Sequence, residues 1–299
     1  MNIRDALKRG CEVLEGAGSE SPRLDAQVLL LAVLREERTV LVSHPERELA
    51  SQEEQLYNQY ISERALGKPV SYITGVKEFM GLEFAVNEAV LIPRPETELL
   101  VEEAVKELEA ISREAEAVPR VLDLCTGSGA IAISIRHFLP QAEVTATDLS
   151  EEALQVAREN AGRILGESED SIRFLQGDLF EAFSDFQSPG SGLFNLIVSN
   201  PPYIPAKVID GLMPDVKDYE PRLALDGGAD GLDIYRRLIP QAAEDLAPGG
   251  VLLLEIGHDQ GETVPDLCRQ AGLGNITVLK DLAGLDRVVR AERIFAEKP

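Results

Sequence analysis

The residues best suited to chemistry lie in one short run, Asn200-Pro201-Pro202-Tyr203. Two successive prolines stiffen the backbone and remove two N–H donors, so the run offers carbonyl oxygens without competing donors. A stiff turn would explain the proline pair alone, but not Asn200 and Tyr203 flanking it at the end of an apolar run, Leu196 to Ser199, that reads as a strand. Oxygen acceptors beside an aromatic face suit a planar NH2 group, whose nitrogen shares its lone pair with a π system and is a weak nucleophile. The Asn200 side-chain carbonyl and the Pro201 backbone carbonyl can bind its two N–H bonds, orient the nitrogen and stabilise positive charge as a methyl group arrives. Tyr203 can hold the planar group by its face. Reacting atoms held about 3–3.5 Å apart draw much of their acceleration from position alone. Because the methylated nitrogen sheds its proton readily, no strong general base is required. Asn200, Pro201 and Tyr203 are thus the catalytic candidates, with Pro202 completing the acceptor site. The acceptor itself is left open among adenine, cytosine and glutamine.

A second cluster points to the methyl donor. Gly127, Gly129 and Ala132 stand in G-x-G-x-x-A spacing, directly after a strand and opening a helix, the context of a nucleotide-type loop. Glycines there allow a close ligand approach, although a tight turn would also use them. Asp148 ends the next strand, 19 residues after Gly129, where a carboxylate can accept both ribose hydroxyls of an adenosine. It is not needed as a helix cap, since Ser150 before Glu151 and Glu152 supplies one. Asp123, at the end of the first strand, would oppose a dinucleotide's pyrophosphate and welcome a sulfonium and an ammonium. On charge grounds this favours S-adenosylmethionine over NAD. Asp178 ends the third strand and can reach the adenine amine or merely organise a turn.

These residues need a scaffold. From Arg120 onward, short β-rich runs alternate with helical ones: Val121 to Leu124, Val144 to Thr147, Ile172 to Leu175, Leu196 to Ser199, Val251 to Glu255, Ile276 to Leu279 and Val288 to Ala291. The alternation predicts an α/β fold, a parallel sheet with helices on both faces and the ligand beyond the carboxyl ends of the strands. The first 66 residues read as a small helical bundle. Ile3, Leu7, Cys11 and Leu14 recur at helical spacing, Ser21-Pro22 opens a second helix, and Ser51 with Glu54 has capping-box spacing. Between Gly67 and Thr97, Leu82-Phe84-Val86 and Val90 to Ile92 around Asn87-Glu88 suggest a hairpin linker. A helix follows from Thr97, and Ser112 to Ala117 reads as a loop. The predicted domains are therefore residues 1–68, helical; 69–96, a β-hairpin linker; and 97–299, the catalytic sheet.

Composition narrows the classes. A chain of 299 residues with 44% apolar residues can build two domains with real cores, and its longest apolar run, Val28 to Leu34, is far too short to cross a bilayer. With 52 acidic and 29 basic residues the net charge is −23, and such a field repels nucleic-acid phosphate. Only −4 of that falls up to Ala85, so the first segment can still meet a nucleoprotein. Cys11, Cys125 and Cys268 are far apart, as are His44, His137 and His258, so neither a metal site nor a catalytic histidine is expected. With no export signal at the start, a cytoplasmic monomer is the expectation. A dehydrogenase would need NAD where Asp123 sits, and a non-catalytic scaffold would have no use for Asn200 to Tyr203.

Four stretches together resemble the PrmC/HemK family, protein-(glutamine-N5) methyltransferases that modify class 1 peptide chain release factors. They are Lys68 to Val105, the loop DLCTGSGAIAISI beginning at Asp123, SNPPYIP from Ser199, and Tyr219 to Leu232. The resemblance implies a Rossmann-like class I S-adenosylmethionine-dependent methyltransferase sheet, with a small N-terminal helical domain that helps hold the release factor. It implies transfer to the glutamine of a Gly-Gly-Gln loop, with S-adenosyl-L-homocysteine as product. Carried over by position, Cys125, Thr126, Gly127, Ser128, Gly129, Asp148 and Asn200 would contact the cofactor, and Asn200 to Tyr203 the glutamine amide. The position after Asp178 often carries an adenine-stacking aromatic in this family. Here it is Leu179, with Phe180 next to it. Arg94, Glu96 and Glu220 look as if they shape the substrate mouth or form an ion-paired loop. Sibling acceptors would be a ribosomal-protein glutamine or, against the acidity of the chain, DNA adenine. The acidic surface would favour a basic release-factor surface over free nucleic acid.

Overall fold

The computed structural model describes residues 1–115, 118–166, 172–183 and 194–294. They divide into two compact units, Met1–Val76 with Met213–Tyr219, and Lys77–Leu212 with Glu220 onward.

The first unit is helical: α1 (Ile3–Gly16), α2 (Pro22–Leu34), α3 (Val40–Ser43), α4 (Ser51–Ala65) and α5 (Val70–Thr74). Ile3, Ala6 and Leu14 of α1 pack with Leu29 and Leu30 of α2 and Tyr57 and Ile61 of α4. At Gly10 a Cβ would collide with the Tyr57 hydroxyl, so glycine sets how closely α1 and α4 approach. Pro22 opens α2 as expected, but the Ser21 hydroxyl donates to Asp25 Oδ1 at 2.8 Å instead of capping the helix. Asp25 also takes Arg64 Nε at 2.8 Å and the Ser19 hydroxyl at 2.9 Å, so this buried carboxylate is paired and hydrogen-bonded. Only half of the capping box forms, and it does so one residue earlier than expected. Ala50 is the cap position of α4, and its N–H donates to Glu53 Oε2 at 2.8 Å, while Glu54 takes the Met1 amino group.

The second unit begins with a hairpin of β1 (Val76–Phe79) and β2 (Leu82–Ala85). This corrects the expected strand pair, for Val90 to Ile92 is not a strand. The turn is Met80-Gly81, both at positive φ, as a two-residue hairpin turn requires. Next come α6 (Glu98–Ala115), β3 (Arg120–Leu124), α7 (Ala130–Phe138), β4 (Glu143–Asp148), α8 (Glu151–Leu165), β5 (Ile172–Gln176) and β6 (Phe194–Ser199). The short helix α9 (Ala206–Ile209) and, belonging to the first unit, α10 (Pro214–Lys217) precede α11 (Asp233–Asp245), β7 (Leu246–Glu255), α12 (Thr263–Gln270), β8 (Gly274–Lys280) and β9 (Asp286–Glu292). Helix α6 runs on to Ala115, overriding the loop expected from Ser112; Glu116 and Ala117 lie outside the described residues.

All seven expected strands join one sheet, in the order β5-β4-β3-β6-β7-β9-β8. Five are parallel neighbours, but β9 runs antiparallel to both β7 and β8, so the sheet is mixed. The cause is local. The link Asp281–Leu285 is too short for a crossover, and Asp281 Oδ1 instead accepts the N–H groups of Ala283 and Leu285 in a tight turn. Both sheet faces are covered. Val121, Leu196, Val198, Val251 and Leu253 pack beneath α6 and α7 with Phe79 and Phe84 of the hairpin. The alternate residues Leu122, Leu124, Ile197, Leu252 and Leu254 pack against Tyr235, Leu238 and Ile239 of α11. Strand order reverses at β3, which the chain leaves towards β4 and flanks on the other side with β6, and a crevice opens there at the carboxyl ends.

Asn160 of α8, fully buried, ties the hairpin to the glycine loop. Its Oδ1 accepts the Ala85 N–H at 2.7 Å, and its Nδ2 donates to the carbonyls of Ala85 at 3.0 Å and Ser128 at 2.9 Å. Asn160→Ala would strand those backbone groups. The expected result is a loss of about 1–3 kcal/mol in denaturant unfolding and faster hydrogen exchange at the Ala85 amide. Unchanged protection there would refute the clamp.

Candidate active site

The glycine loop leaves β3 through Cys125 at φ 61°, turns at Gly127 at φ 55°, and enters α7 through Gly129 at φ 80°. A Cβ at Gly129 would press on Ile133 Cδ1 at 2.7 Å and Ala157 Cβ at 3.1 Å, so this glycine serves the packing of α7 on α8. At Gly127 a Cβ would meet no protein atom within 4 Å; there glycine gives the turn its conformation and leaves the wall low for a ligand.

Two carboxylates hold the loop. Asp123 lies behind it, fully buried. Its Oδ2 accepts the Thr126 hydroxyl at 2.7 Å and the Ala132 N–H at 3.2 Å, stitching the turn to the first turn of α7. Burial pushes its carboxyl up to about 7 against those hydrogen bonds, and its Oδ1 has no partner among the described residues. Asp123 therefore shapes the loop and does not itself line the pocket. Asp148 does line it. Its Oδ2 accepts the Gly127 N–H and its Oδ1 the Ser150 N–H, both at 2.9 Å. Ser150 Oγ separately caps α8 by accepting the Ala153 N–H at 3.1 Å. Burial raises the Asp148 pKa against those backbone bonds. Each oxygen keeps a lone-pair direction for a hydroxyl of a ligand.

The pocket wall continues through Cys125, Thr126, Gly127 and Ser128 to Leu149, Asp178 and Leu179. Asp178 is paired with Arg237 of α11 at 2.8 Å. Leu179, buried and at φ 53°, faces the pocket, whereas Phe180 packs against the core beneath α11. An aliphatic side chain thus stands where an aromatic would stack. Burial pushes the Cys125 thiol pKa strongly upward, so it contributes as a neutral wall. The donor set fits S-adenosylmethionine: a helix-opening turn, one carboxylate with spare acceptor capacity, apolar sides, and a single lining cation, Arg94, already committed to Glu220 at 2.6 Å. A pyrophosphate would find no free positive charge there among the described residues.

At the end of β6, Asn200 and Pro202 stand on the wall of this same pocket, with Pro201 buried between them and Tyr203 beside them. Asn200 Nδ2 donates to the Thr97 hydroxyl at 3.3 Å, and among the described residues no donor reaches its Oδ1 or the Pro201 carbonyl. The Tyr203 hydroxyl donates to Glu255 Oε1 at 3.4 Å, and burial beside this carboxyl pushes the phenol pKa upward. From behind, Gln260 Nε2 donates to the carbonyls of Tyr203 at 3.2 Å and Gly231 at 3.1 Å. A Cβ at Gly227 would lie 2.9 Å from the Pro202 carbonyl oxygen, and one at Gly231 would strike that of Tyr203. The glycines of the Tyr219 to Leu232 stretch are therefore a close-fitting backing for the four residues. Thr97, Glu255 and Gln260 escaped the sequence reading. A signal existed for Glu255: a lone acid ending the apolar run Val251 to Leu254, on the strand next to β6. Arg94 and Glu220 form the ion pair that was one of their two readings, with Arg94 lining the pocket and Glu220 buried; Glu96 is exposed.

Asp148→Ala removes both a loop fastener and the acceptors of the pocket. Calorimetry is expected to show S-adenosylmethionine affinity reduced at least about tenfold, with two charge-assisted hydrogen bonds lost; unchanged affinity would place the adenosine elsewhere.

Comparison with known proteins agrees with this geometry. A PrmC N-terminal domain model matches residues 5–75, and a methyltransferase small domain model matches residues 97–212. The release factor glutamine methyltransferase of Moorella thermoacetica is 47% identical over 98% of this chain and 99% of its own. That of Deinococcus radiodurans is 41% identical over 98% and 99%. Among solved structures, the human METTL16 catalytic domain in complex with the MAT2A 3′UTR hairpin 6 superposes with TM-score 0.54 at 15% identity, covering 79% of this chain and 82% of that one, a likeness of fold alone. A helical first unit, a switch-point crevice and near-full-length identity of this level converge: the chain belongs to the release factor glutamine methyltransferases, a family of S-adenosylmethionine-dependent enzymes.

Proposed function

We propose that the enzyme methylates the side-chain amide nitrogen, N5, of the glutamine in the Gly-Gly-Gln motif of class 1 peptide chain release factors, acting as a cytoplasmic monomer whose helical first unit helps hold the factor. The observation that carries this reading is that Asn200, whose Oδ1 has no donor among the described residues, lines the same pocket as Asp148 and the glycine loop, with the Pro201 carbonyl next in the chain and likewise without a donor.

The chemistry follows from what an amide nitrogen needs. S-adenosylmethionine supplies an electrophilic methyl group. Asn200 and Pro201 accept the two amide N–H bonds, which orients the nitrogen and offsets its growing positive charge. Tyr203, anchored through its hydroxyl, presents its ring to the planar amide. Apolar sides at Leu91, Val90 and Ile131 exclude water that would compete for those oxygens. The proton leaves after transfer, and no side chain is assigned as its base. The charge of −23 supports a protein acceptor with a basic surface over free nucleic acid.

Incubation with methyl-labelled S-adenosylmethionine and, separately, release factor, ribosomes and DNA tests the reading. Label is expected on the release factor and is expected to vanish when its loop glutamine is replaced. Label on ribosomal protein or DNA alone would overturn the acceptor assignment. Asn200→Ala is expected to lower turnover about 100-fold while cofactor affinity changes little, since it removes one charge-stabilising contact at the reacting nitrogen.

A further inference from the structure

Three backbone segments meet at one carboxamide behind the acceptor run. Gln260, buried in the loop between β7 and α12, accepts the Gly257 N–H on Oε1 at 2.9 Å and donates from Nε2 to the carbonyls of Tyr203 at 3.2 Å and Gly231 at 3.1 Å. The direction of this amide is fixed. An N–H only donates, so Gly257 claims the oxygen end; the two carbonyls only accept, so they claim the nitrogen end. Turned over, the group would set oxygen against two oxygens and N–H against N–H.

The two carbonyls belong to backbones in close approach. A Cβ at Gly231, which sits at φ 80°, would strike the Tyr203 carbonyl oxygen, and one at Gly227 would lie 2.8 Å from Tyr203 Cα and 2.9 Å from Gly231 Cα. Carbonyls crowded in this way repel unless a donor stands between them, and an NH2 group has one N–H for each. Among the described residues no other donor reaches either oxygen. At its near end the acceptor run is fixed by β6, where the Ser199 hydroxyl donates to the Leu124 carbonyl at 2.6 Å. Proline rings set φ at 201 and 202. Where the Tyr203 carbonyl is held at the far end therefore decides where the Pro201 carbonyl points.

We infer that Gln260 is a positioning residue for the transfer: by holding the Tyr203 carbonyl against Gly231 and the turn after β7, it fixes the far end of the acceptor run and with it the aim of the Pro201 carbonyl. The inference deepens the proposed reaction and rests on that reading for its effect on turnover. Gln260 does not line the pocket, so it acts through Tyr203 and leaves the cofactor's binding untouched.

Two substitutions test this, with kinetics and the nitrogen-15 NMR signal of the Ile204 amide, which shares its peptide group with the Tyr203 carbonyl. Gln260→Met keeps the side-chain length and removes all three bonds; kcat is expected to fall about tenfold, the scale of one or two hydrogen bonds, with the KM for S-adenosylmethionine unchanged. Gln260→Glu keeps the shape but, when ionised, aims a carboxylate at two carbonyls. Once protonated it can donate to one of them, so the ratio of its kcat to the parent's is expected to rise at least about threefold as pH falls, partway to recovery. The Ile204 signal is expected to move in the Met variant and to titrate in the Glu variant alone. A folded Gln260→Met with kcat within about twofold of the parent, a Gln260→Glu ratio that stays flat or falls with falling pH, or an unmoved Ile204 signal overturns the inference. Failure of both variants to fold overturns it too, by making Gln260 a residue of the fold. Should the parent enzyme label no release factor, the acceptor assignment fails while the Ile204 signal still decides whether Gln260 holds the run.

Discussion

Two adjacent prolines cannot be held by their own backbone, because neither has an N–H to donate, and the architecture around Asn200–Tyr203 follows from that constraint. Stiffness within the run is free, but its placement must come from outside. The protein supplies it with groups that reach the run's oxygens and side chains: Gln260 to the Tyr203 carbonyl, Glu255 to the Tyr203 hydroxyl, Thr97 to the Asn200 amide. Gly227 and Gly231 bring other backbone close enough behind it that no Cβ would fit. These contacts come from the entry of α6, the ends of β6 and β7, and the loops before α11 and α12. Such convergence is what a site needs when its chemistry is orientation and little else.

Acids recur at the carboxyl edge of the sheet, buried at the ends of β3 and β7 and half-buried at the end of β4. Burying a carboxyl without a partner is expensive, and none of the three is rescued by a tight ion pair; each is held by hydroxyls or backbone N–H groups. Their work is geometric. Asp123 and Asp148 grip the glycine loop from its two sides, and Glu255 grips the acceptor side. Because burial drives both Asp123 and Glu255 up to about 7, the grip on donor and acceptor sides shares one range of proton concentration. A pH dependence of the overall rate therefore mixes the two.

Much of this arrangement was legible in the sequence, because strands buried on both faces announce themselves as short apolar runs and the ligand-side residues sit at their ends. Asp148, Gly127 and Asn200 were found that way, and the structure puts all three on one pocket. What was illegible depended on pairing. Val76–Phe79 carries Lys77 and Glu78 and does not alternate cleanly, so the hairpin was sought one strand too late. The reversal of β9 hangs on a five-residue link whose direction no periodicity encodes. Glu255 and Thr97 carry no motif of their own, and each gains its role only from a neighbour more than 50 residues away.

The clamp at Asn160 extends the same logic beyond the pocket. It joins the last residue of β2 to Ser128 of the glycine loop, so the segment running from the hairpin through Ala89 to Arg94, which lines the pocket, starts from a point fixed to the cofactor side. Its far end meets Thr97, which is fixed to the acceptor side through Asn200. Residues 86–97 thus bridge the two halves of the reaction, pinned at each end by an asparagine. A bridge of that kind resists changes in the distance between the methyl donor's cradle and the nitrogen's acceptors, the one distance that a direct transfer cannot allow to vary. The Arg94–Glu220 pair braces its middle against the segment leading to Gly227 and so to the backing of Asn200–Tyr203. On this argument the linker is part of the frame that holds the pocket's two sides at a fixed separation.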